Sequence, residues 1–214
     1  MEKTLKFLAE LNNNKNQSWL SDNSGEFESA RAEMWDFTYL LLTQLSIDDA
    51  KLNTEIDVAR FISNIIGVGP KKAVVYLDFF DIAISPLNND GNEPAYLVHI
   101  EPNDQSYISI KYIPDVFGLQ VMRNYIAKNA SLFDSILQDC YSSGFILDES
   151  SKLPALPKGY PVGTPGESFI KLKKYEIRSH IDLLKDQDEL IKDILTTFKA
   201  AMPFVQFLRT GLGL

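Results

Sequence analysis

Two alternating runs, Tyr96-Leu97-Val98-His99-Ile100-Glu101 and Tyr107-Ile108-Ser109-Ile110-Lys111-Tyr112-Ile113, are separated by only Pro102-Asn103-Asp104-Gln105-Ser106. A parallel pair needs a crossover of about a dozen residues or more, so this link forces the two runs into an antiparallel hairpin. Ahead of them, Val74 to Ile84 is β-branched and aromatic on both alternating faces, the pattern of a central strand. The dense turn signal Pro86 to Pro94 joins it to the hairpin, giving a three-stranded meander. A later strand is expected over Phe169 to Arg178. There Ile170 and Leu172 share one parity and Tyr175 and Ile177 the other, so a bulge or bend is expected at Lys173-Lys174.

The rest reads as helix. Residues 27, 30, 34, 37, 41 and 45 are apolar at steps of three and four, and Asn23 with Glu26 fits a capping pair at the start of that helix. Trp35, Tyr39 and Leu42 widen its apolar surface, which predicts burial on two sides. Pro114 can open a further helix carrying Leu119, Met122 and Ile126, and Asn129 can cap one with Phe133, Ile136, Leu137 and Cys140 inward. Asp186 and Glu189 mark the start of a last helix through Leu190, Ile194, Phe198, Met202 and Val205, which Pro203 should kink or split. Between Ser150 and Gly166, four prolines and three glycines predict a long irregular surface loop. The sum is an α+β fold, an antiparallel sheet packed against long N-terminal and C-terminal helices, in one domain over residues 1–214.

Charge bounds the partners. The net charge of −8 argues against a general affinity for nucleic acid or acidic membranes. Residues 1–60 hold six Lys or Arg against eleven Asp or Glu, whereas residues 151–180 hold six against two. That basic strip reads as a solvated strand face. No stretch is long and apolar enough to span a bilayer, and the N-terminus lacks the apolar core of a signal peptide, so a cytoplasmic location is expected. One cysteine, Cys140, excludes an internal disulfide and a multi-thiolate metal site.

Chemistry-bearing candidates are few. His99 and Glu101 lie two apart on one strand and therefore share a face. His180, beside Arg178, is weaker. Gly67-Val68-Gly69-Pro70-Lys71-Lys72 lacks the spacing and hydroxyl of a P-loop and is followed by a strand, so it reads as a tight turn. Asp78 and Asp81, three apart on a strand, project to opposite faces. Ser168 and Cys140 lack a nucleophile signature. No catalytic residue, metal site or cofactor is nominated.

The opening Phe7-Leu8-Ala9-Glu10-Leu11, the run Asn12-Asn13-Asn14, Trp19, and Asn23 before Phe27 stand in an order that continues down the chain. Ala83-Ile84-Ser85-Pro86, Tyr96 with His99-Ile100-Glu101-Pro102, Tyr112 with Pro114, Arg123, Pro157-Lys158-Gly159-Tyr160-Pro161, Leu172-Lys173, and the last helix with Pro203 and Phe207 follow it. In this order and spacing the chain resembles an uncharacterised bacterial family, domain of unknown function 2461. The resemblance brings no activity with it. It implies a charged, Arg- and Lys-rich segment before Ala83, where Arg and Lys forks would bind phosphate or carboxylate. Here that stretch reads Ile65 to Leu77, with only Lys71 and Tyr76 retained.

Two functional readings follow. The first is a non-catalytic binding or protein-interaction domain that uses Ile65, Ile66, Val68 and Val75 as an apolar surface where relatives are charged. The second is an enzyme or a binder of a small anion, with a pocket combining His99, Glu101, Arg123, Lys158 and Tyr160. The first is preferred.

Overall fold

The computed structural model describes residues 1–86 and 93–214. Helices α1 (Glu2–Asn13), α2 (Gln17–Asp22) and α3 (Ser24–Asp48) are followed by strands β1 (Ile66–Val68), β2 (Val74–Tyr76), β3 (Phe80–Ile84), β4 (Ala95–Ile100) and β5 (Tyr107–Tyr112). Then come α4 (Val116–Lys128), α5 (Ala130–Ser142), β6 (Ile146–Leu147), the short α6 (Glu167–Ile170), β7 (Tyr175–His180) and α7 (Gln187–Leu212). The architecture is α+β. Strands β3-β4-β5-β7-β6 form one antiparallel sheet in that order, and β1 pairs with β2 as a separate hairpin. The turn expected over Pro86 to Pro94 falls largely on residues 87–92, outside the described residues.

Strand alternation divides the main sheet into two unlike faces. Phe80, Ile82, Ile84, Tyr96, Val98, Ile100, Ile108, Ile110, Tyr112, Tyr175 and Ile177 turn toward the helices and are buried. Asp81, His99, Tyr107, Ser109, Lys111, Glu176 and Arg178 lie on the opposite face. On the helical side α7 lies on β5 and against α3, α4 and α5. Phe133 of α5 is fully buried there, with ring centroids 4.9 Å from Phe169 and 4.8 Å from Phe207.

Several sequence expectations are corrected. Val74–Ile84 is not one central strand: it breaks into β2 and β3, and β3 is an edge. The edge is closed by an Ile62–Ile82 bridge and by the Asp81 N–H donating to Ser63 Oγ at 2.8 Å, which lets apolar side chains sit on both faces. Phe169–Arg178 is not one strand: Phe169 and Ile170 belong to α6, and the strand begins at Tyr175, after the bend expected at Lys173-Lys174. Asn23 holds the N-cap position of α3 as expected but does not cap it through its side chain, whose amide donates to Trp19 O at 2.8 Å instead. Nor does Asn129 cap α5 through its side chain. Pro114 precedes α4, whose cap is Asp115, accepting from the Gly118 N–H at 2.7 Å. α7 is not split at Pro203, since Phe198, Ala201, Phe204 and Val205 are buried on both sides of it and packing outweighs one missing backbone bond. α3 is not buried on two sides: Trp35 and Tyr39 are exposed and stack on each other at 5.6 Å.

Candidate functional site

The segment after α3 is tied down and then released. Asp57 caps a single 3-10 turn by accepting from the Ala59 N–H at 3.0 Å, and Val58, Phe61 and Ile65 are buried. Beyond Ile65 the chain leaves the core as the β1–β2 hairpin. Its tip closes with the Gly69 N–H donating to Ala73 O at 2.7 Å, and Lys71 and Lys72 sit at φ of 57° and 61°, the tight turn expected from the sequence. Val75 and Leu77 fold over Gly67 on one side of the hairpin. Ile66, Val68, Val74 and Tyr76 share the other side by register, and Tyr76 Oη donates to Gln17 at 2.8 Å. Val68 is 80 % exposed and Val74 61 %. Ile66 continues this side into a cleft of about 570 Å³ against α3, lined by Phe27, Arg31, Trp35, Ile62 and Phe80 among others. Arg31 lies 5.6 Å over the Phe27 ring and pairs with Glu28 at 3.3 Å.

The outer sheet face holds a ladder of charges. His99 Nδ1 lies 2.7 Å from Asp81 Oδ1 and His99 Nε2 lies 3.0 Å from Glu101 Oε2. Ionised carboxylates only accept, so contact at both nitrogens calls for the doubly protonated ring. Burial opposes that charge, but the hydrogen bonds to Asp81 and Glu101 outweigh it and raise the His99 pKa. The imidazole stacks on Tyr107 at 4.6 Å, and the Arg178 guanidinium lies 4.7 Å over the other partner of that stack, the Tyr107 ring. Burial pushes the Tyr107 phenol up to about 12. Arg178 continues to Glu176 at 2.8 Å and Asp148 at 2.8 Å, and Lys174 reaches the same two carboxylates. Glu176 is fully buried; burial alone would raise its pKa, yet Arg178 and Lys174 hold it below the usual carboxylate range. Much of the basic strip of residues 151–180 is therefore neutralised by paired acids, Lys171 by Glu167 and Lys152 by Glu149 as well.

The residues proposed from sequence for one pocket occupy two layers. His99 and Glu101 touch on the outer face. Arg123 lies in α4 on the helical side, where its Nη2 donates to Leu172 O at 3.1 Å. Tyr160 joins that layer, donating to Asn124 Oδ1 at 2.6 Å and accepting from Gln120 Nε2 at 2.8 Å. Lys158 is exposed on the same loop. His180 pairs with Asp104 at 2.9 Å at the surface. Asp78 and Asp81 are apart, the first on Lys15 at 3.0 Å and the second on His99. Among the described residues no group of His, Cys, Asp or Glu is placed to hold a metal ion.

Sequence reasoning missed Trp35 and Tyr39 as surface, and Asp81 and Tyr107 as partners of His99. Parity alone places Asp81 and Tyr107 on the face of His99 once the register is known, and that register is a tertiary fact. Among the described residues no helix is long and apolar enough to cross a membrane. No curated protein and no solved structure matches the chain. Residues 3–207 match the family model described as conserved hypothetical protein (DUF2461), and with that coverage the chain belongs to this family.

Proposed function

We propose that this protein is a non-catalytic interaction domain that docks a cationic amphipathic segment of a partner protein in the cleft between α3 and the β1–β2 hairpin. The observation that carries this reading is the continuity of the apolar cleft with the outward hairpin side chains Ile66, Val68 and Val74. Exposed apolar surface that is contiguous with a groove marks an interaction site more often than scattered single side chains do. Charge supports the cationic character of the partner: residues 1–60, which supply the α3 wall, hold eleven acidic against six basic residues, and Arg31 is already paired with Glu28. The groups that a catalytic reading would enlist are engaged elsewhere. Both nitrogens of His99 are held by carboxylates, and burial pushes the Cys140 thiol up to about 11.

Selection of displayed random peptides against the purified protein tests the reading. Enriched peptides should combine aliphatic residues with Lys or Arg, bind the Val68→Glu and Trp35→Ala variants at least about tenfold more weakly, and bind a Leu132→Glu control on α5 unchanged. No enrichment, or equal binding to Val68→Glu, overturns it. Sedimentation showing a dimer that Val68→Glu dissolves would replace the partner with a second copy of the chain.

A further inference from the structure

The outer face of the main sheet is hollowed where β3 and β4 place alanines. Ala83 and Ala95 share that face with Asp81, Leu97, His99 and Lys111 by register. Two methyl groups where larger side chains would stand leave a cavity of about 250 Å³, with Leu97 beside them on its floor and Phe61 and Ser63 as a wall. The charged side chains that line it are Asp81, Glu93 and Lys111.

Charge is balanced along the rest of this face and unbalanced at the ends of the cavity. Lys174 and Arg178 pair with Asp148 and Glu176, two bases against two acids. Glu176 stands opposite Lys111 in register, but its oxygens go to Lys174 and Arg178, and among the described residues Lys111 has no ion-pair partner. At the other end the doubly protonated His99 lies between Asp81 and Glu101, so that trio keeps one net negative charge, and Asp81 meets His99 through Oδ1 alone. Glu93 is 5 % exposed and stands two residues ahead of Ala95, the register partner of Lys111, so a second carboxylate lies at the lysine end. Asp81 and Lys111 are well separated. Their partners on β4, His99 and Ala95, are four residues apart, about 13 Å along the strand, and two strand spacings add about 10 Å across it.

We infer that this hollow binds a basic α-amino acid of the lysine type. Two acids and one base line the cavity, and such a ligand carries the complementary set of two cations and one anion. Its carboxylate accepts from Lys111 Nζ, its α-ammonium faces Glu93, and its side-chain ammonium donates to Asp81 Oδ2. The methylenes between them lie over Ala83, Ala95 and Leu97, which supply the apolar floor that a small-molecule site needs between its polar anchors. A ligand with a single charge, or with both charges at one end, leaves Asp81 or Lys111 unmatched. The hollow is on the outer sheet face, apart from the α3–hairpin cleft, and neither reading depends on the other.

Thermal melts with lysine and with arginine, against hexanoate and hexylamine at equal ionic strength, provide the test. Lysine, arginine or both should give a saturable rise in Tm, and the two singly charged compounds should not. Lys111→Met removes the cation that meets the carboxylate and should raise the apparent Kd for the responsive amino acid at least about tenfold. Ala95→Leu fills the hollow without altering any charge and should abolish the response, so loss of binding in both variants separates the site from general electrostatics. Absence of a saturable shift with both amino acids, an equal shift with hexanoate or hexylamine, or a response undiminished in either variant overturns the inference.

Discussion

Replacing Asp49 with Asn removes one charge from a deeply buried ion pair while keeping a side chain of the same shape. The side chains of Asp49 and Arg209 are each 6 % exposed, and Arg209 already leaves Nε and Nη2 without partners. Asn retains an oxygen that can accept from Tyr96 and Arg209, so the loss isolates the uncompensated guanidinium. Removing one partner of a buried pair costs about 3–5 kcal/mol, against about 0–1 kcal/mol for an exposed pair. At about 2–4 °C per kcal/mol for a chain of this size, Asp49→Asn should lower Tm by about 6–20 °C. The double variant Asp49→Asn/Arg209→Met removes both charges and the two orphaned donors while leaving Tyr96 an acceptor, and should recover most of that loss. Urea unfolding of the parent and the two variants, with unchanged m-values, gives the free energies directly. A loss below about 1 kcal/mol for Asp49→Asn would mean that this buried guanidinium tolerates isolation.

Further outcomes follow from the packing and the charge ladder. The His99 pKa is raised in the folded state, so its contribution to stability is full below the unfolded value of 6.5 and is lost as pH rises through the folded value; His99→Asn should flatten that limb of a Tm–pH profile, and an unchanged profile would refute the assignment. Asp148 and Glu176 have lowered pKa values, so their contribution is present above their unfolded values of 3.8 and 4.5 and is lost as pH falls through the folded ones; Lys174→Met should shift the acid-unfolding midpoint upward. Gly118→Ala should destabilise α4 although Ala is the better helix former, because a Cβ there overlaps Tyr112 Oη; combining it with Tyr112→Phe should recover part of the loss in a urea melt. Phe133→Ala should cost about 3–5 kcal/mol by the same assay, since its ring is fully buried among other aromatic rings.

What was legible in the sequence is what short-range periodicity encodes. The β4–β5 hairpin, the antiparallel order of β3, β4 and β5, and the apolar stripe of α3 are all written in steps of two, three or four residues. The failures share a cause. Val74 to Ile84 has the composition of a central strand because Phe79 packs its ring 4.9 Å from His99 while Phe80 and Ile82 turn to the core, and nothing local shows that Ile62 closes that edge. Phe169 and Ile170 fall within the run expected as strand but are used as one turn of helix, Phe169 packing on Phe133. Site residues suffered most. His99 and Glu101 pair by their spacing of two, which the strand preserves, whereas Arg123, Lys158 and Tyr160 group with them only as chemically capable side chains. The sheet separates the two groups, and no local pattern shows which side of it a helix will cover.

The α3–hairpin cleft connects the family resemblance with the structure. The segment in which relatives are expected to carry arginines and lysines forms the hairpin here, and its outward positions are Ile66, Val68 and Val74. Structural need does not account for these side chains, because the core anchors of the segment are Val58, Phe61 and Ile65, all buried before the hairpin begins. Exposed β-branched residues on a two-stranded hairpin do fit strand geometry, but Thr would serve the backbone equally well without presenting apolar surface to water. Substituting Thr at 66, 68 and 74 together is therefore the sharpest separation of fold from function. If the aliphatic side chains serve only the hairpin, the triple variant should lose neither stability nor any peptide selected against the parent. If they serve docking, melting should stay within a few degrees of the parent while peptide affinity falls at least about tenfold, because each anchor loses apolar contact area while keeping its β-branch.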